Sequence, residues 1–391
     1  MTGAIVSLGP EEAAEAIAWR HTLHAMPELA FNEHRTSAFV AERLASFGLE
    51  VSHGLAGTGV VATLRRGTSR RTVGLRADMD ALAITEATGL AYASANPGLM
   101  HACGHDGHMA MLLAAARSLA DADGIEGTIH FIFQPAEENE GGGRRMVEEG
   151  LFESFPMDAI FGVHNWPALA VGEVGVKAGP VMAAFAVFDI TITGRGSHAA
   201  MPHQGADPII AAFQIGSAMQ MIVSRNLSPL SAAVVSVTQV HAGDTYNVIP
   251  DTCRLAGTVR WFDPAAGEAV EKRLAQIVTS LALGLGCTAE TKFEKRYPAT
   301  VNSGAEAAFA AQVVRELDPG LLLVDVVEPS MAAEDFSFML EKCPGAYLWL
   351  GAGRTGENPG LHSPRFDFND AILPSGVTLW THLARQWLAV P

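Results

Sequence analysis

The sequence predicts an α/β protein: a mostly parallel sheet with helices between its strands, and a smaller α+β unit inserted into it. Three observations carry the prediction. Short apolar runs at 72–77, 128–133, 159–163 and 347–350 alternate with helical patterns, the alternation that builds a parallel sheet. Each run leads toward acidic or imidazole side chains, and such sheets place their chemistry outside the carboxyl ends of the strands. The middle of the chain instead reads β-α-β-β-α-β, the order of the ferredoxin-like split unit. A length of 391 residues exceeds one ordinary core, so two domains are expected: 1–182 with 295–391, and an insertion at 183–294.

Residues 11–25 carry apolar positions at helical spacing (Ala14, Ile17, Ala18, Leu23) until Pro27 stops the run. A second helix is predicted over 36–47, with Gly48 as its C-cap. His21, His24 and His34 read as surface or packing histidines, since no ligand-type partner stands at matching spacing. Of the four apolar strands, the first runs into Asp78-Met79-Asp80 and the second into Gln134-Pro135-Ala136-Glu137-Glu138. The third ends at His164, and the fourth enters a glycine-rich loop leading to His362. A helix is predicted over 107–120. In the insertion, strands at 185–193, 232–240, 254–261 and 288–293 are joined by helices at 207–223 and 265–283.

Apolar residues make up 49% and charged residues 17%, the balance of a folded chain with a buried core rather than a disordered one. A net charge of −16 argues against nucleic acid or anionic lipid as partner. An anionic substrate would need a local positive pocket, or metal, against that field. Cys103, Cys253, Cys287 and Cys343 form no framework spacing, which predicts a reducing compartment. Residues 1–10 lack a signal-peptide pattern, and the apolar stretches 109–116 and 277–285 fall short of a membrane span. A soluble cytoplasmic protein is expected.

The chemistry concentrates in His101-Ala102-Cys103-Gly104-His105-Asp106-Gly107-His108, which puts a thiol and three imidazoles within eight residues, and in the Glu137-Glu138 pair. Sulfur, nitrogen and oxygen donors together suggest a divalent metal, and a spare carboxylate beside it suggests activation of water. Spacing alone leaves alternatives open. His101, His105 and His108 share helical spacing and could all be ligands, or the cluster could be buried or surface residues without a metal. Glu137-Glu138 could be a solvated acidic turn, although a strand end facing a ligand cluster is an unusual place for one. Asp80 could ligate, or could orient a ligand. Cys253, Cys287 and Cys343 read as buried thiols, His130 and His241 as core or surface residues, and the six tryptophans as packing.

Five motifs resemble the M20 metallopeptidase family: Arg76-Ala77-Asp78-Met79-Asp80-Ala81-Leu82, the His101–His108 stretch, Gln134-Pro135-Ala136-Glu137-Glu138, Gly162-Val163-His164 and Leu361-His362-Ser363-Pro364. They are most similar to its amidohydrolase branch of hippurate, N-acyl-amino-acid and indole-acetyl-amino-acid hydrolases. The likeness extends through Gly194-Arg195-Gly196-Ser197-His198-Ala199-Ala200 and Asn247-Val248-Ile249-Pro250-Asp251. It implies two divalent ions, Mn2+ or Zn2+ with Co2+ or Ni2+ as further candidates, on Cys103, His105, Glu138, His164 and His362. Glu137 becomes the catalytic base, and His101 and His108 are not carried over as ligands. The inserted unit becomes a lid that mediates dimerisation, with His198 stabilising the oxyanion in a neighbour's site. Asn247 and Arg260 would hold the substrate's carboxylate or amide, and Glu334 is a candidate for a role near the substrate. Two departures stand out: Ala83 replaces the usual proline, and Asn139-Glu140 interrupts a glycine run.

The implied substrate is a small N-acyl amino acid of acetyl, benzoyl or indole-acetyl type. Another C–N bond, in an aromatic amine or small dipeptide, is an alternative. Two further readings are a thiol enzyme with Cys103 as nucleophile and His105 as base, and a non-catalytic binding protein.

Overall fold

The computed structural model describes residues 8–138, 140–317, 320–324 and 327–389. The chain forms two compact units, one of Met1–Val181, Thr300–Glu328 and Asp335–Pro391, the other of Met182–Ala299 with Pro329–Glu334. The return of 329–334 to the second unit carried no pattern in the sequence.

The first unit is built on eight strands: β1 Glu50–Leu55, β2 Gly59–Arg66, β3 Thr72–Asp78, β4 Gly127–Gln134, β5 Ala159–Ala170, β6 Glu173–Gly175, β7 Leu322–Leu323 and β8 Gly345–Gly353. Their spatial order is β1-β2-β4-β3-β5-β8-β6-β7. The central strands β4, β3, β5 and β8 pair in parallel, as does β7 with β6. The hairpin β1–β2 and the β2–β4 and β8–β6 pairs are antiparallel. The parallel centre is covered on both faces, so β4 is buried along its whole length and reads as a mainly apolar run interrupted by His130. Two expectations need correction. The 50–66 hairpin had no strand assignment, and β5 continues to Ala170, so that His164 lies inside a strand, held there by pairing with β8.

Helices α1 Pro10–His24, α2 His34–Ser46 and α3 His105–Asp121 pack on this sheet with the C-terminal helix Leu373–Ala389. In α1 the buried face is Ala16, Trp19, Arg20, Leu23 and His24, while Ala14 and Ala18 are exposed. The apolar count misplaced that face because Arg20 and His24 are buried polar groups. Arg20 reaches Asp106 and Asp367, both at 2.8 Å, and His24 Nδ1 meets Asp106 at 2.8 Å. Helix α3 is apolar all round and correspondingly buried from His105 to Ala116.

The second unit has four strands, Ala184–Thr193, Ala233–His241, Thr252–Trp261 and Thr288–Tyr297, all paired antiparallel, with Ala184–Thr193 and Thr252–Trp261 at the centre. Alternation on the first strand sends Ala184, Ala186, Phe188, Ile190 and Ile192 into the core. Its two helices, Pro208–Met221 and Pro264–Gly284, start alike: Asp207 and Asp263 accept from backbone N–H groups of the first turn, and proline takes the first helical position. A short ribbon pairs Ser197–His198 with Val248–Ile249. Among the described residues no helix is long and apolar enough to cross a membrane.

Candidate metal centre

The site gathers at the carboxyl ends of the central strands. Helix α3 can begin at His105 because Gly104 adopts φ +94°, and a Cβ there would stand 2.5 Å from Asn165 Oδ1. β4 ends at Gln134, and Ala136 then takes φ +56°, a left-handed conformation that costs a non-glycine residue roughly 1–2 kcal/mol. Buried carboxylates hold that turn. Glu33 Oε1 accepts from Ala136 N at 2.9 Å, and the two oxygens of Asp80 accept from Glu137 N and Glu138 N, each at 2.9 Å. Gly142 closes the turn by donating to Ala136 O, and a Cβ on it would lie 1.8 Å from Pro135 O.

The turn aims two acids at the α3 terminus. Ligand atoms of Cys103, His105 and His164 lie within 4.8 Å of one another, as do those of Cys103, Glu138 and His362, and those of His105, Glu137 and Glu138. Cys103 Sγ is 3.4 Å from His164 Nε2, and His362 Nε2 is 3.1 Å from Glu138 Oε1. His105 Nδ1 donates to the Asp80 carbonyl at 2.8 Å, which turns Nε2 toward the cluster.

The electrostatics suit a cation. His105 Nε2 is buried and makes no hydrogen bond among the described residues, a cost of about 1–3 kcal/mol unless something else binds it, and the buried Glu138 Oε1 faces the His362 imidazole. Burial, then Glu138, Glu137 and Asp78, push the Cys103 thiol well above its ordinary range. Burial alone would lower the His105 imidazole, but Asp78, Asp80 and Glu138 push it up to about 10. A thiol, two carboxylates and imidazoles packed together draw positive charge, as the raised His105 imidazole shows, and a divalent ion would supply it. The residues therefore fit the metal that the donor set suggests. The same environment opposes the thiolate that a Cys103 nucleophile would require.

The five residues that the resemblance implies as ligands are in this cluster with Glu137, and Asp80 adjoins it through His105 and the N–H groups of both acids. His108 is there too, but both of its nitrogens are engaged: Nδ1 donates to Asp78 Oδ1 at 2.7 Å and Nε2 accepts from Asn165 N at 3.0 Å. His101 is buried, and that burial lowers its pKa to about 3, so it is neutral. His198, Asn247 and Arg260 stand on the second unit. The ribbon places His198 opposite Val248, and Asn247 O accepts from Ala199 N at 3.0 Å. Arg260 donates to the Met331 carbonyl at 2.8 Å and stacks over Phe185. Glu334 is buried in the second unit's returning segment.

Three buried groups around the acids were given no role by the sequence reading. Asp335 N donates to Glu137 Oε1 at 3.4 Å, and the Asp335 carboxylate accepts from Gly143 N (2.7 Å), Gln134 Nε2 (2.7 Å) and Arg76 Nη2 (3.1 Å). Arg76 also binds Asp78 at 2.9 Å, and with His105 and His108 it holds that buried carboxyl well below its ordinary range. Glu33 is the third. Arg76 lay in a quoted motif, and a buried arginine among acids was the available signal; nothing local marked Glu33. Ala83 lies in the described chain, whereas Asn139 lies outside the described residues.

An α/β sheet that delivers thiol, imidazole and carboxylate donors to one edge, with a spare buried acid beside them, defines a metal-dependent hydrolase. Comparison with known proteins gives the family. Residues 74–386 match the model of peptidase family M20/M25/M40. The chain is 39% identical to an N-acetyl-L-cysteine deacetylase of Bacillus subtilis (strain 168), over 95% of this chain and 88% of that protein. It is also 39% identical to a hippurate hydrolase of Campylobacter jejuni, over 94% of this chain and 95% of that protein. A crystal structure of a Bacillus subtilis dinuclear metal binding peptidase of the M20 family superposes with a TM-score of 0.84 at 36% identity, covering 98% of this chain and all of that one. The chain belongs to peptidase family M20/M25/M40 and is a metal-dependent hydrolase of amide bonds.

Proposed function

We propose that the protein cleaves the amide C–N bond of a small N-acyl amino acid, with two divalent ions held by Cys103, His105, Glu138, His164 and His362 and with Glu137 as the general base. The observation that carries this reading is the Cys/His/Glu cluster in which His105 Nε2 is buried without a hydrogen bond among the described residues, with a second acid, Glu137, beside it. Mn2+ or Zn2+ bound there would polarise the amide carbonyl and make water acidic enough to be deprotonated near neutral pH. Glu137 takes the proton of the attacking water and returns it to the nitrogen of the departing amine. Asp80 keeps both acids in place through their backbone N–H groups, which is orientation rather than ligation. His198 donates to the oxygen that gains charge, and Arg260 with Asn247 receives the substrate carboxylate, in an otherwise acidic protein.

The acyl group is read as acetyl, benzoyl or indole-acetyl type, by similarity to the deacetylase and the hippurate hydrolase. Four buried free cysteines accord with a reducing, cytoplasmic setting. The inserted unit is read as a lid and dimerisation domain. Exposed Ile210, Phe213 and Met221 on one helix, with Val234 and Val240 on an outer strand, are apolar surface that a second copy could cover. Light scattering tests the dimer, and a monomer at all concentrations would reject it.

The activity test is a screen of N-acetyl, N-benzoyl and indole-acetyl amino acids with manganese present, reading free amine. Release that is abolished by EDTA and restored by Mn2+ or Zn2+ is expected. Activity indifferent to chelation would reject the reading.

A further inference from the structure

We propose that Glu33 is a positioning residue for the reaction, holding the Glu137-Glu138 pair in place through the backbone of Ala136. The inference rests on the reading that makes Glu137 the base and Glu138 a ligand. Glu33 stands at the N-cap position of α2, yet it does not cap that helix. Glu28 does so instead, accepting from Thr36 N at 2.9 Å and Arg35 N at 3.2 Å. The Glu33 side chain is thereby released to turn inward, where the residue is completely buried. Its two oxygens have separate partners, Ala136 N at 2.9 Å and Thr58 Oγ1 at 2.7 Å.

Placing a carboxylate in the interior is unfavourable unless its bonds do something specific. Here one of them fixes the residue that most resists its own conformation. Ala136 has φ +56°, and the next two residues are the proposed base and ligand. Three consecutive amides, at 136, 137 and 138, are each held by a carboxylate oxygen, the first from Glu33 and the others from Asp80. Asp80 belongs to the site's own strand end, but Glu33 is 103 residues away in the N-terminal segment. Without it, Ala136 can relax out of the left-handed region and carry both acids with it. Glu33 touches no reacting atom and acts only through that turn.

The test is steady-state kinetics on metal-loaded enzyme, with metal content measured so that kcat is counted per loaded site. Glu33→Ala is expected to lower kcat about 10- to 100-fold while KM stays within about threefold, the signature of misplaced catalytic groups. Glu33→Gln keeps an acceptor for Ala136 N and should recover most of that loss. Ala136→Gly, which removes the steric penalty of positive φ, should restore about tenfold when added to Glu33→Ala. Wild-type kcat in Glu33→Ala overturns the proposal, and so does a loss that is absent neither in Glu33→Gln nor in the double variant with Ala136→Gly. Should Glu33→Ala fail to fold, Thr58→Val reads the same bond from its other side. It should lower kcat by about two- to fivefold, reversibly by Ala136→Gly, and an unchanged or unrepaired kcat would count against the proposal. Glu137→Gln separates the two levels. If it stays active, the functional reading falls; if it is inactive while Glu33→Ala is unaffected, only the role of Glu33 falls.

Discussion

Glu137 and Glu138 are neighbours in sequence with different proposed work, and the difference comes from what surrounds each. Glu138 shares its surroundings with Cys103 and His362, while Glu137 accepts from Asp335 N. Replacing Glu137 by Gln keeps the shape and removes the base, so kcat should fall about 10²–10⁴-fold with the metals retained, as read by amine release and metal analysis. Glu33 gives a pH prediction on stability. Burial, with the charge of Asp80 adding to it, raises its carboxyl from 4.5 to about 7 against the hydrogen bonds from Thr58 and Ala136. A raised folded-state pKa means the folded protein holds the proton more tightly. That contribution is fully present below pH 4.5 and is lost as pH rises through about 7. Glu33→Gln cannot ionise, so its unfolding free energy in denaturant titration should gain on wild type across that window, by an amount on the order of 3 kcal/mol at most. A constant difference across the window would contradict the assignment. At this scale spacing pointed to the His101–His108 stretch and the Glu137-Glu138 pair, where donor types cluster along the chain, whereas the full ligand set came from the family resemblance, since His164 and His362 stand far from both. Glu33 and Asp335 were given no role, because their side-chain partners are 25 to 259 positions distant and leave no local trace, whereas Arg76 stood in a quoted motif two positions from its partner Asp78.

The elements that present the site were mostly visible in the sequence. The four parallel strands and most of α3 are apolar runs of the right length, with the acids following their strands, His105 and His108 opening α3 and His164 within β5. The outer hairpin β1–β2 was not visible, since its first strand, Glu50–Leu55, mixes half-buried and exposed positions without a period of two and forms no apolar run. Its turn places Ala56 at φ +51° between Gly54 and Gly57, which also take positive φ, so those glycines were the signal available there. Helix α1 was recognised but rotated, because polar Arg20 and His24 face inward. Helix α3 is the element on which the site leans most. Met111→Ala in its buried stretch should destabilise the protein by about 2–5 kcal/mol in denaturant titration, with a smaller effect on kcat of the enzyme that remains folded. A fall in kcat as large as that of Glu137→Gln would mean that α3 packing sets catalysis directly.

For the whole molecule, the two compact units and the dual role of metal matter most. The β-α-β-β-α-β order of the second unit could be read from sequence because its first strand, Ala184–Thr193, alternates and each helix opens on Asp-Pro. The return of residues 329–334 could not, since six residues are too few to carry a period. Metal bound only by the folded protein also stabilises it, so EDTA should lower the melting temperature as well as abolish activity, and Mn2+ or Zn2+ should restore both. His198→Ala should cost about 2.7–4 kcal/mol of transition-state stabilisation, read from kcat/KM, while leaving metal content unchanged. The most direct measurement of the central claim is anomalous scattering from crystals grown with manganese. Two peaks are predicted, within coordination distance of Cys103, His105 and His164 and of Glu138 and His362, with Glu137 outside both coordination shells. Full metal loading in solution with no peak near Cys103 and Glu138 would contradict the account.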